Sequence, residues 1–169
     1  MNSSPLPNIP GVNIVGKIDL SKFEPKRKEI KPDRENIYVV DTNVFVNCPE
    51  IISKIGKKYK VILSAKVVDE LDTLKIKLDD TGKSSVRKAL REINREFDSP
   101  NVIMEIADTS LLPDDFDKRS PDNLILSVAL KYKNSNAIVL TSDNELTIKA
   151  KGLGLTAISL KDFLRQNRK

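Results

Sequence analysis

From Ile37 onward the chain alternates short β-rich apolar runs with amphipathic segments of helical period, and this alternation limits the fold more than any other feature. "IYVV" and "KVILS" read as strands, followed by "KVVDELDTLKIKL" and "SSVRKALREINREF" as helices. "NVIMEIA", "NAIVLTS" and "LTAISL" continue as strands, interleaved with the helical "SPDNLILSVALKYK", "DNELTIKAKG" and "KDFLRQN". The pattern predicts an α/β fold: a three-layer α/β/α sandwich around a parallel sheet of four or five strands. Right-handed crossovers then fix most of the topology. There is no internal repeat.

The first 35 residues differ. They carry Pro5, Pro7, Pro10, Pro25 and Pro32 out of 9 prolines, with the charge-dense "EPKRKEIKPDRE". They read as an arm or linker ahead of a single folded domain over 36–169. Val12, Ile14, Ile18 and Leu20 alternate, which suits a short docked strand. The same segment suits a tether to a fused domain or a protein partner. No run approaches the roughly 18 apolar residues of a membrane span, and the amino terminus lacks the layout of a secretion signal. Cys48 is the single cysteine, so no internal disulfide forms. A reducing compartment, the cytoplasm, is expected. Homodimerisation is left open.

With no histidine, Ser-His-Asp and Cys-His triads and His-ligated zinc are excluded. Chemistry must rest on carboxylates, hydroxyls, lysines or an oxygen-bound metal. Sheets of this class bind ligands at the carboxyl ends of their strands. Asp41 closes the first strand, and Glu70 lies on the helix after the second. Asp122 begins the helix after the third, and Asp143 closes the fourth. Each has an ordinary alternative. Asp41-Thr42-Asn43 fits a self-capping turn, and Glu70 fits a helix flank beside the apolar stripe of Val67, Val68, Leu71, Leu74 and Leu78. Asp122 suits the first turn of a helix capped by Ser120 with Pro121 at its first position. Ser142 and Glu145 match a capping box around Asp143. Together, however, four acids at one sheet edge repel one another unless a cation joins them. A hard divalent ion such as Mg²⁺ or Mn²⁺ takes oxygen ligands, and one or two such ions serve phosphodiester hydrolysis.

"YVVDTNVFVNCPEII", "LSAKVVDELDTLK", "RSPDNLILSVAL" and "VLTSDNEL" occur in the order and spacing of a PIN-domain nuclease, and the chain resembles that family over about residues 37 to 164. "GKSSVRKALREI" adds a likeness to the PIN domains fused to bacterial phosphate-starvation, PhoH-like ATPases. The resemblance implies metal-dependent cleavage of single-stranded RNA. It assigns the metal to Asp41, Glu70, Asp122 and Asp143. Asn43 and the hydroxyls of Thr141 or Ser142 become supporting or substrate-positioning groups. Many relatives carry a further acid beside the third or fourth motif. Here those positions are Asn123 and Glu145, which bears on whether the site takes one ion or two.

The helix from Ser84 buries Val86, Leu90, Ile93 and Phe97. Lys83, Arg87, Arg91 and Arg95 line up beside that stripe, either as a solvated face or as a ridge for RNA phosphates. The net charge of +5 is compatible with a polyanionic partner. The loop "DTSLLPDDFDKR" is expected at the rim of the site, with Asp114, Asp115 and Asp117 as candidate extra ligands. "TGKSS" is not a nucleotide-binding loop, because the required earlier glycine is Lys77 and no strand leads into it. A haloacid-dehalogenase-type phosphatase uses a second aspartate where this chain has Asn43. Ser64 fits its second motif, but Glu70 and Asp122 are then unexplained. A PIN-like domain that binds RNA or protein without cutting is the rival from another class, and it has no need of four intact acids.

Overall fold

A computed structural model describes residues 35–168, so the expected amino-terminal arm and its alternating Val12 to Leu20 lie outside the described residues except for Glu35. Five short strands form the sheet: β1 (Ile37–Val40), β2 (Lys60–Ser64), β3 (Val102–Glu105), β4 (Ala137–Leu140) and β5 (Thr156–Ile158). All pairings are parallel, in the order β3-β2-β1-β4-β5. The chain builds outward from β1 to β3, then returns to the other side of β1 for β4 and β5. The reversal falls between β1 and β4, where doubly wound sheets open a crevice. β1 and β4 are fully buried, as near-continuous apolar runs demand.

The helices are α1 (Thr42–Asn47), α2 (Ile51–Ile55), α3 (Ala65–Lys77), α4 (Asp80–Glu96), α5 (Pro121–Leu130), α6 (Asn144–Gly152) and α7 (Leu160–Gln166). The first four pack on one another, and α5 packs on α6. Right-handed crossovers running in opposite directions from β1 put these sets on opposite faces. Phe163 of α7 is buried edge-on against Tyr38, with ring centroids 5.5 Å apart.

The sequence reading contained no helix over 42–55. The β-branched and aromatic "VFV" resembles strand, yet Asp41 caps α1 and the helix sinks Val44 and Phe45 into the core. α4 begins at Asp80, four residues earlier than Ser84, because the Asp79 side chain accepts from the Gly82 amide at 2.8 Å. Gly82 is thus a first-turn residue of α4, consistent with rejecting "TGKSS" as a phosphate loop. The buried stripe of α4 is Val86, Ala89 and Ile93, with Leu90 half-buried. Phe97, expected inside, is 43% exposed because the helix ends before it.

A Cβ placed on Gly82 would lie 2.8 Å from Leu78 Cβ and 2.9 Å from its Cδ1. Replacing a helical glycine with alanine ordinarily stabilises by roughly 0.5–1 kcal/mol. Here the overpacking cost of about 1–3 kcal/mol opposes it, against an atom fixed to the backbone. Gly82→Ala is expected to lower stability in urea unfolding. A net gain would show that the α3–α4 corner relaxes freely.

Candidate metal centre

Asp41 follows β1 directly and is only 4% exposed. Its position is locked by the sheet, since its amide donates to Leu140 O at 3.0 Å. Its carboxylate is locked by two donors: Thr42 N reaches Oδ1 and Thr141 Oγ1 reaches Oδ2, each at 2.7 Å. Thr141 is itself fully buried, and its hydroxyl accepts from Asp143 N at 3.0 Å. One threonine after β4 therefore fixes the acids after β1 and β4 to each other. Thr42 does the same across β1 and α3, because its hydroxyl donates to Glu70 Oε1 at 2.6 Å.

The four acids expected from the sequence all line one cleft of about 400 Å³, with Thr42, Asn43, Lys66, Asp69, Thr73, Leu74 and Lys77. Within it the acids fall into two groups. Asp41 and Glu70 are joined through Thr42. Asp122, Asp143 and Glu145 each offer a carboxylate oxygen within 4.8 Å of the others. Burial chiefly raises the proton affinity of Asp41, to a pKa of about 6, against the pull of its Thr141 and Thr42 donors; Asp122 and Glu70 raise it further. Burial likewise raises that of Asp122, aided by Asp143, Glu70 and Glu145 and opposed by Lys149. Asp122 is thus the electrostatic link between the two groups.

Asp143, not Ser142, caps α6: its Oδ1 accepts from Glu145 N at 2.8 Å and from Leu146 N at 3.4 Å. That corrects the capping-box reading and leaves the Glu145 carboxylate outside the cap. Ser142 does not line the cleft, and its hydroxyl accepts from Leu160 N at 3.4 Å, at the start of α7. Thr141 does not line the cleft either, and its hydroxyl is taken up by Asp41 and Asp143. Asn43 is exposed and does line the cleft. Ser120 caps α5 as expected, holding Asp122 in its first turn.

Other candidates fall elsewhere. Lys83, Arg87 and Arg91 lie on α4 and do not line the cleft; Arg95 is paired with Glu92 at 2.5 Å and Glu96 at 3.2 Å. Asp114, Asp115 and Asp117 also lie outside the lining. Asp117 contributes its backbone carbonyl, which accepts from Asn123 Nδ2 at 2.9 Å, while Asn123 Oδ1 takes the Lys149 ammonium at 3.1 Å. Ser64 is fully buried and caps α3 through Lys66 N, which removes it from phosphatase-like use. The sequence reading missed Lys66 and Lys77; their spacing with Glu70 and Thr73 along α3 was the available signal.

The donor set fits a hard divalent cation. Among the described residues neither oxygen of Asp122, nor Asp143 Oδ2, nor Glu70 Oε2 has a protein hydrogen-bond donor. Asp41 keeps further lone pairs beyond its two accepted bonds. Half-buried carboxylate oxygens without donors are costly alone and suited to a cation.

The family profile described as PIN domain matches residues 38–161. Among solved structures, a domain of a functionally unknown protein from Methanocaldococcus jannaschii is 23% identical with a TM-score of 0.51, covering 75% of this chain and 91% of that one. The PIN domain of human SMG5 is 16% identical with a TM-score of 0.50, covering 78% and 98%. A PilT N-terminus domain protein from Sulfolobus solfataricus is 18% identical over 79% and 94%, with a TM-score of 0.48. At these identities the first two support the fold alone. No curated protein matches the chain.

The raised pKa of Asp41 predicts a pH signature in the metal-free protein. The native state holds this proton more tightly than the unfolded chain. The resulting stability is complete below the ordinary carboxylate pKa near 3.8 and is lost as pH rises through about 6. The full difference is about 3 kcal/mol. Asp41→Asn removes this dependence. In EDTA its stability relative to wild type is expected to improve between pH 4 and 7. A relative stability flat across that range would show that Asp41 is not desolvated as described.

Proposed function

This chain belongs to the PIN-domain family, whose fold is generally that of a metal-dependent nuclease, and we propose that it hydrolyses phosphodiester bonds of single-stranded RNA in the acid cleft. The observation that carries the proposal is the convergence on one cleft of Asp41, Glu70, Asp122 and Asp143, with Glu145 beside them. A purely structural network leaves few half-buried carboxylate oxygens without donors. The preference for RNA, and the finer likeness to PhoH-fused PIN domains, rest on the sequence motifs. On the latter reading residues 1–35 serve as a tether to a partner.

Asp41, Asp122 and Asp143 would hold an ion, Mg²⁺ or Mn²⁺, with Glu70 and Glu145 contributing from either side. When bound, such an ion offsets the mutual repulsion of the acids, polarises a phosphoryl oxygen and lowers the pKa of a water. Thr42 and Thr141 do the rest of the positioning. They hold one oxygen of Glu70 and both of Asp41, so these acids need little reorganisation before reaction. Asn43 presents an exposed amide at the cleft, where it can meet the ribose or phosphate of a bound strand. The cleft lies at the carboxyl edge of the sheet, where a bound strand would meet these acids.

Cleavage of short single-stranded RNA with and without Mn²⁺ tests the proposal directly. Wild type is expected to cut only with metal, and more readily on RNA than on single-stranded DNA. Loss of an outer-shell partner typically costs roughly 10–100-fold in metal affinity or activity. Thr141→Val should fall in that range, and Asp41→Asn should exceed it while remaining folded. Mn²⁺ at a hundredfold excess over its dissociation constant should add about 2.7 kcal/mol of stability, an effect lost in Asp122→Asn. A folded wild type that neither cuts nor gains stability with metal would favour a non-catalytic domain.

A further inference from the structure

The wall of the cleft built by α3 carries Lys66, Glu70, Thr73 and Lys77. Their spacings of four, three and four place them on one helical face. Eleven residues of helix separate the lysines by about 16 Å along the axis, with Glu70 between them. Lys66 is the second residue of α3, where a positive charge opposes the helix dipole, and no acid occupies that first turn. A local preference broken beside a candidate site points to use. Among the described residues neither ammonium has an ion-pair or hydrogen-bond partner. Lys75, on another face of the same helix, pairs with Asp72 at 3.2 Å.

We propose that Lys66 and Lys77 hold two backbone phosphates of a single strand lying along α3, with the scissile linkage between them, beside Glu70. The inference rests on the nuclease reading and adds the path of the substrate. Five acids lining one cleft, with Glu145 beside them, repel a polyanion, and a cation at each end of the α3 wall offsets that repulsion where the strand enters and leaves. Ammonium groups contact phosphate as point charges, so this track carries no base preference. The ridge of Lys83, Arg87 and Arg91 lies outside the cleft lining.

The test is fluorescence anisotropy of a fluorescein-labelled eight-nucleotide single-stranded RNA with the full chain. It is run in EDTA across a potassium chloride series, so that no metal-dependent cutting intervenes. Each full phosphate contact on a single strand contributes roughly 0.7 to the slope of log affinity against log salt. The Lys66→Ala, Lys77→Ala double variant is expected to flatten the slope by about 1.4, equally on oligouridine and oligoadenosine. Lys66→Arg with Lys77→Arg should restore it. An unchanged slope in the folded alanine variant overturns the inference. So does a loss confined to Arg87→Ala, Arg91→Ala, or an absence of wild-type binding. This readout needs no catalysis, so a wild type that binds with the predicted slopes yet never cuts with Mn²⁺ contradicts the nuclease reading and not the track.

Discussion

The arrangement depends on holding a carboxylate almost out of water at the end of a central strand. Asp41 can be ionised there only because Thr42 and Thr141 donate to its two oxygens and because the remaining lone pairs face a polar cleft. The sheet order makes this geometry available. β1 and β4 are neighbours across the point where the winding reverses, so residues just beyond their ends meet without intervening backbone. Thr141 uses that adjacency twice, as donor to Asp41 and acceptor from Asp143.

Around this lock the charges are uneven. Asp122 is pressed by Asp143 and Glu145 and by Glu70, and Lys149 relieves it. Lys149 is in turn held by Asn123, whose other end is tied to the Asp117 carbonyl. The loop rich in acids thus supports the cleft through one backbone oxygen, while its carboxylates stay outside. A metal-free protein carries this repulsion as lost stability, and a bound cation would return it. The same positions that destabilise the fold are therefore the ones a divalent ion would use.

Much of this was legible in the sequence because buried parallel strands are short apolar runs and their carboxyl ends can be read by eye. Asp41 and Asp143 follow from that rule, whereas Glu70 and Asp122 also needed the helical pattern of the segments after the strands and the resemblance of the four motifs to a known family. The errors have local causes. "TNVFVN" looks extended because valine and phenylalanine favour strands, and only the cap at Asp41 and the burial of Phe45 make it helical. Ser142 and Asp143 are equally good caps on paper. Burial of Thr141, whose hydroxyl takes the Asp143 amide, fixes that aspartate as the cap of α6. That shift of one residue leaves Glu145 outside the cap and beside Asp122 and Asp143. Lys66 and Lys77 were overlooked because the α4 cations form the denser charge run, whereas the helix that carries Glu70 forms the wall of the cleft.

The central claim is that the paired acids at the reversal of the sheet share a divalent cation. Anomalous diffraction at the manganese edge from a crystal soaked in Mn²⁺ tests it most directly. The account predicts a peak in the cleft within bonding distance of carboxylate oxygens from Asp122 and Asp143, with Asp41 as a further ligand, and its loss in Asp122→Asn. Manganese bound only elsewhere on the surface, with the cleft acids unchanged, would contradict it.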